Sequence, residues 1–526
     1  ITYIQELCDQ ATEMHSLLYI GGFLVPLFAI LLRNFVKTTT SRTRSVPGPW
    51  IARFTRLWYF KRVWNGDWHT DNIALHQKYG PVVRVAPGWF SLSGPPDKDL
   101  YGIGSRFPKG DWYQGWKHPN PERLALFADQ DIRRHAETRR RFQSLYSLSA
   151  LLSYEPYVDN CIDLFLERMT EFARAGETAD MVHWFQCFAF DVMGDTVYSK
   201  RFGFLDRGED MAGTMRALEL AMPYSTLVGI YPRLHPYLYA LLEKIPGSGA
   251  AGRTYLMKFV SQRIAARNEA RAKMPKGGAK TPTSADSNAP RDFLDKLMDT
   301  HDEDPEKVTP EHIYMMGISN IFAGSDTTAI SLSSILWNLV TNPASMVKLR
   351  KEVDVQPRTQ GRIAFKTANT NMPYLQAVIK EALRLHDAVG LPLWRVVPEG
   401  GATISGQYFD GGSVVGTNIW VAHYDHDAYG DDVNVFRPER WIEAEKEDPE
   451  RFRRMEANYM AFGLGSRTCI GRHISTLEMY KLVPELIAKY DFELAMPRSD
   501  WKSRNLWFVK PEKLQVRVLP RKSTNS

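Results

Sequence analysis

Residues 461–475 read AFGLGSRTCIGRHIS and place Cys469, one of only four cysteines in 526 residues, among Gly465, Arg467 and Gly471. The run that follows, ISTLEMYKLVPELIAKY, carries apolar residues at helical spacing, so a helix begins just after the sulfur. A helix start aims its positive dipole end and free N–H groups at whatever precedes it, which favours a thiolate at Cys469. Gly465 and Gly471 leave no side chain where a flat, bulky ligand approaches the backbone, and Arg467 reaches for an acidic group on that ligand. A sulfur ligand beside a large planar acid points to haem. Without those neighbours a lone cysteine reads as a small, inert core residue.

The rest of the composition sets the frame. Hydrophobic residues make up 44% of the chain and charged residues 24%, a globular balance with ample material for a core. The net charge of +6 is mild and diffuse, which excludes a nucleic-acid binder. Cys8, Cys161, Cys187 and Cys469 are far apart with no C-x-x-C pair, so neither a disulfide framework nor a structural zinc site is supported, and the chain reads as reduced and cytosol-facing.

One segment departs from a soluble pattern. Residues 14–32, MHSLLYIGGFLVPLFAILL, carry no formal charge and as a helix reach about 28 Å, the thickness of a bilayer core. Glu6, Asp9 and Glu13 precede the run, whereas Arg33, Lys37, Arg42, Arg44, Arg53, Arg56, Lys61 and Arg62 follow it. That is the reverse of a cleaved signal peptide, and the positive-inside rule keeps the large C-terminal part in the cytosol. The expected organisation is a short lumenal N-terminus (1–13), a single uncleaved transmembrane anchor (14–32), a basic, Pro-rich linker (33–50) and a cytosolic domain (51–526). A buried core helix interrupted by Pro26 is the alternative.

GPVVRVAPGWFSLSG (80–94) reads as a strand pair. Helical periodicity dominates beyond it, over Asp131 to Ser147, Pro156 to Ala175, Leu256 to Ala272, His312 to Thr341, Pro343 to Val353 and Pro373 to Leu385. Residues 274–291, rich in Gly, Pro, Ser and Ala, read as a mobile surface loop, and 220–242, broken by Pro223, Pro232 and Pro236, is no single straight helix and is a candidate for lipid contact.

Phe462, Gly465, Arg467, Cys469 and Gly471 fit F-x-x-G-x-R-x-C-x-G, and here the sequence resembles the cytochrome P-450 family of haem-thiolate monooxygenases. The resemblance implies a mainly α fold with a minor β-sheet, with heme b (iron protoporphyrin IX) held by Cys469 as the axial and metal ligand. It spans roughly Pro47 to Pro520. AVGLPLWRVVPEGG, FRPERW and KYGPVVRVAP look like fungal secondary-metabolism members of the pisatin demethylase-like group. In PYLQAVIKEALRLH, Glu381 and Arg384 share a helix face and match the family's E-x-x-R pair, completed by Arg440; this trio is expected to lock the meander that presents Cys469.

In NIFAGSDTTAISL, Asp326 and Thr327 match the oxygen-binding motif: Thr327 competes for the carbonyl of Ala323, and Gly324 leaves room for a small ligand. His135 and Arg139, four apart on DIRRHAETRRRF, and Arg395 resemble the family's haem-propionate ligands, while Arg134, Arg140 and Arg141 are left to solvent or an acidic redox partner. His423 and His426 are read as loop residues. Asp387 stands where the family usually has proline.

The implied activity is insertion of one atom of O2 into a lipophilic small molecule, by hydroxylation, epoxidation or oxidative demethylation. The implied partners are NADPH-cytochrome P-450 reductase and cytochrome b5, at the endoplasmic reticulum membrane. An oxygen-independent haem-thiolate isomerase or dehydratase keeps the cysteine but often loses the acid and alcohol pair, and a haem carrier or sensor consumes no NADPH.

Overall fold

The computed structural model describes residues 28–273 and 292–522. Most of the expected anchor and the expected 274–291 loop lie outside them. Among the described residues no helix is long and apolar enough to cross a membrane. Residues 28–40 are helical, so 28–32, the end of the expected anchor, continue into a helix held to the body. Asn34 donates to the carbonyl of Phe54 (2.8 Å) and Thr38 to that of Arg53 (3.0 Å), while Phe35 stacks on Phe54.

In chain order, the elements that position the site begin with strands β1 (Val82–Ala86) and β2 (Trp89–Leu92), helices α1 (Ile132–Phe142) and α2 (Glu155–Ala175), and strand β3 (Thr178–Asp180). Helices α3 (Met181–Tyr198), α4 (Thr214–Val228), α5 (His235–Leu242), α6 (Gly249–Ala272), α7 (Pro310–Thr341) and α8 (Pro373–Leu385) follow. The rest are β4 (Arg395–Val396), β5 (Val414–Thr417), α9 (Ile419–His423), α10 (Glu439–Glu447), α11 (Arg472–Lys489), β6 (Tyr490–Leu494), β7 (Ser503–Leu506), β8 (Phe508–Pro511) and β9 (Gln515–Pro520).

The molecule is mainly helical around α7. This helix starts at a capping box in which Thr309 accepts the N–H of His312, and most of its length is buried. α3 packs along it. Nearly every side chain of α3 is buried, so it carries no amphipathic stripe, which is why helical periodicity does not reveal it. The other helices read from sequence all form, although the one expected from Leu256 already starts at Gly249 and the one expected to Ser147 ends at Phe142 and continues as a 3-10 turn to Tyr146.

The 220–242 region bends as expected, but not at Pro223, which sits inside α4. The break comes after Val228, where a Cβ on Gly229 would lie 2.4 Å from the carbonyl oxygen of Trp112 and one on Gly115 would lie 2.5 Å from that of Ser225. These two glycines let the end of α4 cross the 3-10 turn Asp111–Trp116 backbone to backbone.

The sheets are small. One runs β1-β2-β5-β4, with β2 and β5 parallel and the other pairs antiparallel. β3, β9 and β6 form an antiparallel sheet, and β7 and β8 a hairpin turning at Trp507, a non-glycine residue at φ 84°.

Candidate functional site

The loop before α11 closes on itself: the N–H of Cys469 donates to the carbonyl of Phe462 at 2.7 Å. Gly465 sits at φ +57°, and a Cβ there would come within 2.0 Å of the carbonyl oxygen of Tyr101. Its glycine therefore answers to the protein's own backbone rather than to an approaching ligand, which corrects the reading from sequence. At Gly471 the nearest atom to a Cβ is the sulfur of Cys469, at 4.0 Å, so that position does leave the space beside the sulfur open.

α11 begins at Arg472, as its periodicity requires. The thiolate expectation needs amendment. Burial pushes the Cys469 thiol up, and the N–H of Gly471, the charges of Arg139 and Arg472 and the N–H of Arg472 only partly offset it. A helix start alone does not ionise this sulfur, whereas a coordinated cation deprotonates a thiol outright.

Glu381, Arg384 and Arg440 come together with no solvent exposure. Arg384 donates to both carboxylate oxygens of Glu381 (2.9 and 2.8 Å), Arg440 donates to one (2.8 Å) and Trp441 to the other (2.9 Å). Arg440 also holds the carbonyls of Tyr429 (2.7 Å), Asp432 (2.9 Å) and Val435 (3.0 Å) and so ties down the meander between α9 and α10. Arg384 reaches the carbonyl of His423 at 2.9 Å, and the Nε2 of His423 accepts the N–H of Met460, also at 2.9 Å, immediately before the cysteine loop. His423 is thus a buried strut and not the loop residue its sequence suggests. His426 lies in the short helix His426–Tyr429.

Cys469 opens into an interior cavity of about 390 Å³ whose wall also includes Phe462, Gly471, Thr327, His135, Arg139, Arg395 and Arg467. The basic residues gather with Lys109, which sequence reasoning missed because nothing in FPKGDW distinguishes it. Lys109 is buried, donates to the carbonyl of Phe127 and lies over the rings of Tyr113 (4.3 Å) and Phe127 (4.2 Å).

Burial, Arg467, Lys109 and Arg139 push His135 down to about 3, and burial and Arg395 lower Arg467 to about 10. The nearby acid, Asp129, is already engaged by Arg134 (2.6 and 2.8 Å). Arg467 donates to the carbonyl of Asp129 (2.8 Å), and its Nη2 is buried with no partner. A cationic cluster with an orphaned guanidinium nitrogen, beside an accessible sulfur, fits a planar ligand bearing two carboxylates. Haem has that chemistry.

On α7, Thr327 donates to the carbonyl of Ala323 (2.6 Å) as expected and faces the cavity. Asp326 does not. It is buried against α3, accepts a hydrogen bond from Gln186 at 2.5 Å and lies 3.7 Å from Lys510 on β8. The acid and alcohol therefore point to different sides of the helix, because neighbouring residues diverge by about 100°. Gly324 also has another reason than ligand space: a Cβ there would lie 2.5 Å from the sulfur of Met193, so glycine lets α3 approach α7.

Asp387 makes a turn of its own where the family's proline is expected. Its Oδ1 accepts the N–H of Val389 at 2.8 Å, an Asx turn, and burial pushes its carboxyl well up.

A second acid lies at the cavity wall. Glu478 on α11 is fully buried, both its carboxyl oxygens lack a partner among the described residues, and burial raises it well above the ordinary glutamate value. Its folded state therefore holds a proton that the unfolded chain releases at moderate pH. The stability this confers is complete below the ordinary carboxyl value and falls as pH rises toward the raised one. Glu478→Gln is expected to gain stability relative to the parent progressively from about pH 4.5 upward. Urea midpoints measured from pH 4 to pH 9 check this, and a pH-independent difference would contradict it.

Comparison with known proteins agrees with this geometry. The family model described as Cytochrome P450 matches residues 46–518. The chain is 36% identical to a pisatin demethylase of Fusarium vanettenii over 92% of this chain and 90% of that protein. It is 37% identical to a cytochrome P450 monooxygenase of Aspergillus terreus, over 88% and 92% of the two chains. A cytochrome P450 monooxygenase of Penicillium aethiopicum is 34% identical, over 97% and 100%.

Proposed function

Because the chain belongs to the cytochrome P450 family, whose members are haem-thiolate enzymes with a cysteine as axial ligand, we propose that it is a membrane-anchored monooxygenase of fungal secondary metabolism, with Cys469 as the ligand to the iron. Enzymes of this family use O2 and a redox partner and act on lipophilic substrates. When bound, the haem supplies oxygen activation, favoured by electron donation from its thiolate. The observation that carries the reading is the meeting of Cys469, Thr327 and the basic cluster in one cavity.

In this reading Lys109, His135, Arg139, Arg395 and Arg467 hold the propionates and fix the ring's orientation. Phe462, on the same wall, would offer the ring an apolar contact. Thr327 presents a hydroxyl to the cavity, where it would position water and a proton. Asp326 acts from behind the helix: it is joined through Lys510 to Glu219 on the protein surface (3.2 Å), a route by which protons reach α7 from solvent. The exposed basic face of α1 suits an acidic partner such as NADPH-cytochrome P450 reductase, with cytochrome b5 as a further donor.

The test is turnover of a fungal metabolite extract by the enzyme with reductase and NADPH under isotopically labelled O2. A product carrying one labelled oxygen is expected, and an unlabelled rearranged product would favour an isomerase or dehydratase. Thr327→Ala should keep NADPH oxidation while product per NADPH falls about tenfold or more and hydrogen peroxide rises, in line with the usual size of a positioned proton donor's effect. Full coupling in that variant would remove Thr327 from the proposal.

The acidic 1–13 segment and the basic 33–62 segment support a lumenal N-terminus and a cytosolic body at the endoplasmic reticulum. Protease added to intact microsomes should then digest the body, and full protection would invert this topology.

A further inference from the structure

The end of the cavity formed by the Asp111–Trp116 turn and α6 pairs an aromatic wall with a buried charge. Trp116, Phe127 and Trp507 meet ring to ring at 5.6, 5.7 and 5.8 Å, and Tyr113 joins them on Phe127 at 5.4 Å. All four line the cavity. Trp507 reaches the wall from a left-handed turn, a strained conformation for a bulky residue that the β7–β8 hairpin holds in place.

Beside this wall stands Arg253 on α6, only 8% exposed and also lining the cavity. It donates to the carbonyls of Gly115 (3.2 Å) and Trp116 (2.6 Å), so the guanidinium is fixed to the residue whose ring forms the wall. Among the described residues no carboxylate pairs with it, and burial lowers its affinity for its proton. The neighbouring Arg123 differs, because Glu311 already neutralises it at 2.8 Å. His118 accepts the N–H of Asn120 on Nδ1 (3.0 Å), which leaves its proton on Nε2 as a donor at the same end of the cavity.

A desolvated, uncompensated guanidinium is costly unless an anion completes it, and an aromatic wall gains most from a flat ring system. We propose, building on the monooxygenase reading, that the substrate class is an aromatic polycycle bearing a carboxylate, with its rings against Trp116 and Trp507 and its carboxylate on Arg253. The two carbonyl contacts also cap the 3-10 turn, so a purely structural role predicts equal loss for charged and neutral ligands.

The experiment compares anthracene-2-carboxylate with its methyl ester on the haem-loaded enzyme, titrated by anthracene fluorescence and by the ligand-induced change in the haem spectrum. The acid should bind at least about tenfold more tightly, the scale of one charge-assisted hydrogen bond. In Arg253→Gln that advantage should vanish while ester binding changes less than about twofold. An ester that binds the parent enzyme as well as the acid does would overturn the inference, and so would equal losses for both ligands in the variant. If the variant does not fold, the parent's acid-to-ester ratio alone decides. A thiolate-type carbon monoxide spectrum on the same sample reports separately on the monooxygenase reading. Its presence without a preference for the acid sinks only the substrate class.

Discussion

Replacing Cys469 by alanine is expected to abolish the long-wavelength band of the reduced, carbon monoxide-bound protein and all turnover. Among the described residues the sulfur is the only thiol that opens into the cavity. Cys161 and Cys187 are buried elsewhere and do not line it, so neither can reach a ligand bound there. Replacing either of those, or Cys8, should leave the band intact. The backbone of the loop is held without the sulfur, by the Cys469 N–H on Phe462 and the Met460 N–H on His423, so the variant should remain folded. Circular dichroism and urea midpoints check that point, and persistence of the band in Cys469→Ala would disprove the assignment.

The second large effect is expected at Glu381. Its carboxylate satisfies Arg384, Arg440 and Trp441 at once, in a place closed to water. Glu381→Leu strands two buried guanidinium groups, and breaking a buried pair in this way costs about 3–5 kcal/mol. Whole domains hold only about 5–15 kcal/mol, so much of the stability should go. Loss should spread along the chain of contacts: Arg384 to His423, His423 to Met460, and from there to the cysteine loop. The expected result is little soluble protein and a haem spectrum that is absent or of non-thiolate type. A near-normal urea midpoint for Glu381→Leu would mean that the trio does not lock the meander. Arg440→Lys is the milder control, since one ammonium cannot reproduce the contacts the Arg440 guanidinium makes with Glu381 and the backbone around it.

What the sequence determined by itself was whatever depends on spacing within one element. The cysteine loop, the E-x-x-R turn, the Thr327 back-bond to Ala323 and the pairing of His135 with Arg139 on one face of α1 all involve residues a few positions apart, where helix geometry fixes who meets whom. The tertiary structure decided everything that joins distant segments. It turned Asp326 away from the cavity toward Gln186 and Lys510, brought Lys109 into the basic cluster and made His423 a strut. It hid Glu478 without a partner among the described residues and aimed Trp507 at the aromatic wall. None of these leaves a periodic trace, because the segments that surround each residue and give it its role are tens to hundreds of positions away. α3 shows the same limit from the other side: buried on every face by its neighbours, it has no polar stripe to betray its helical period.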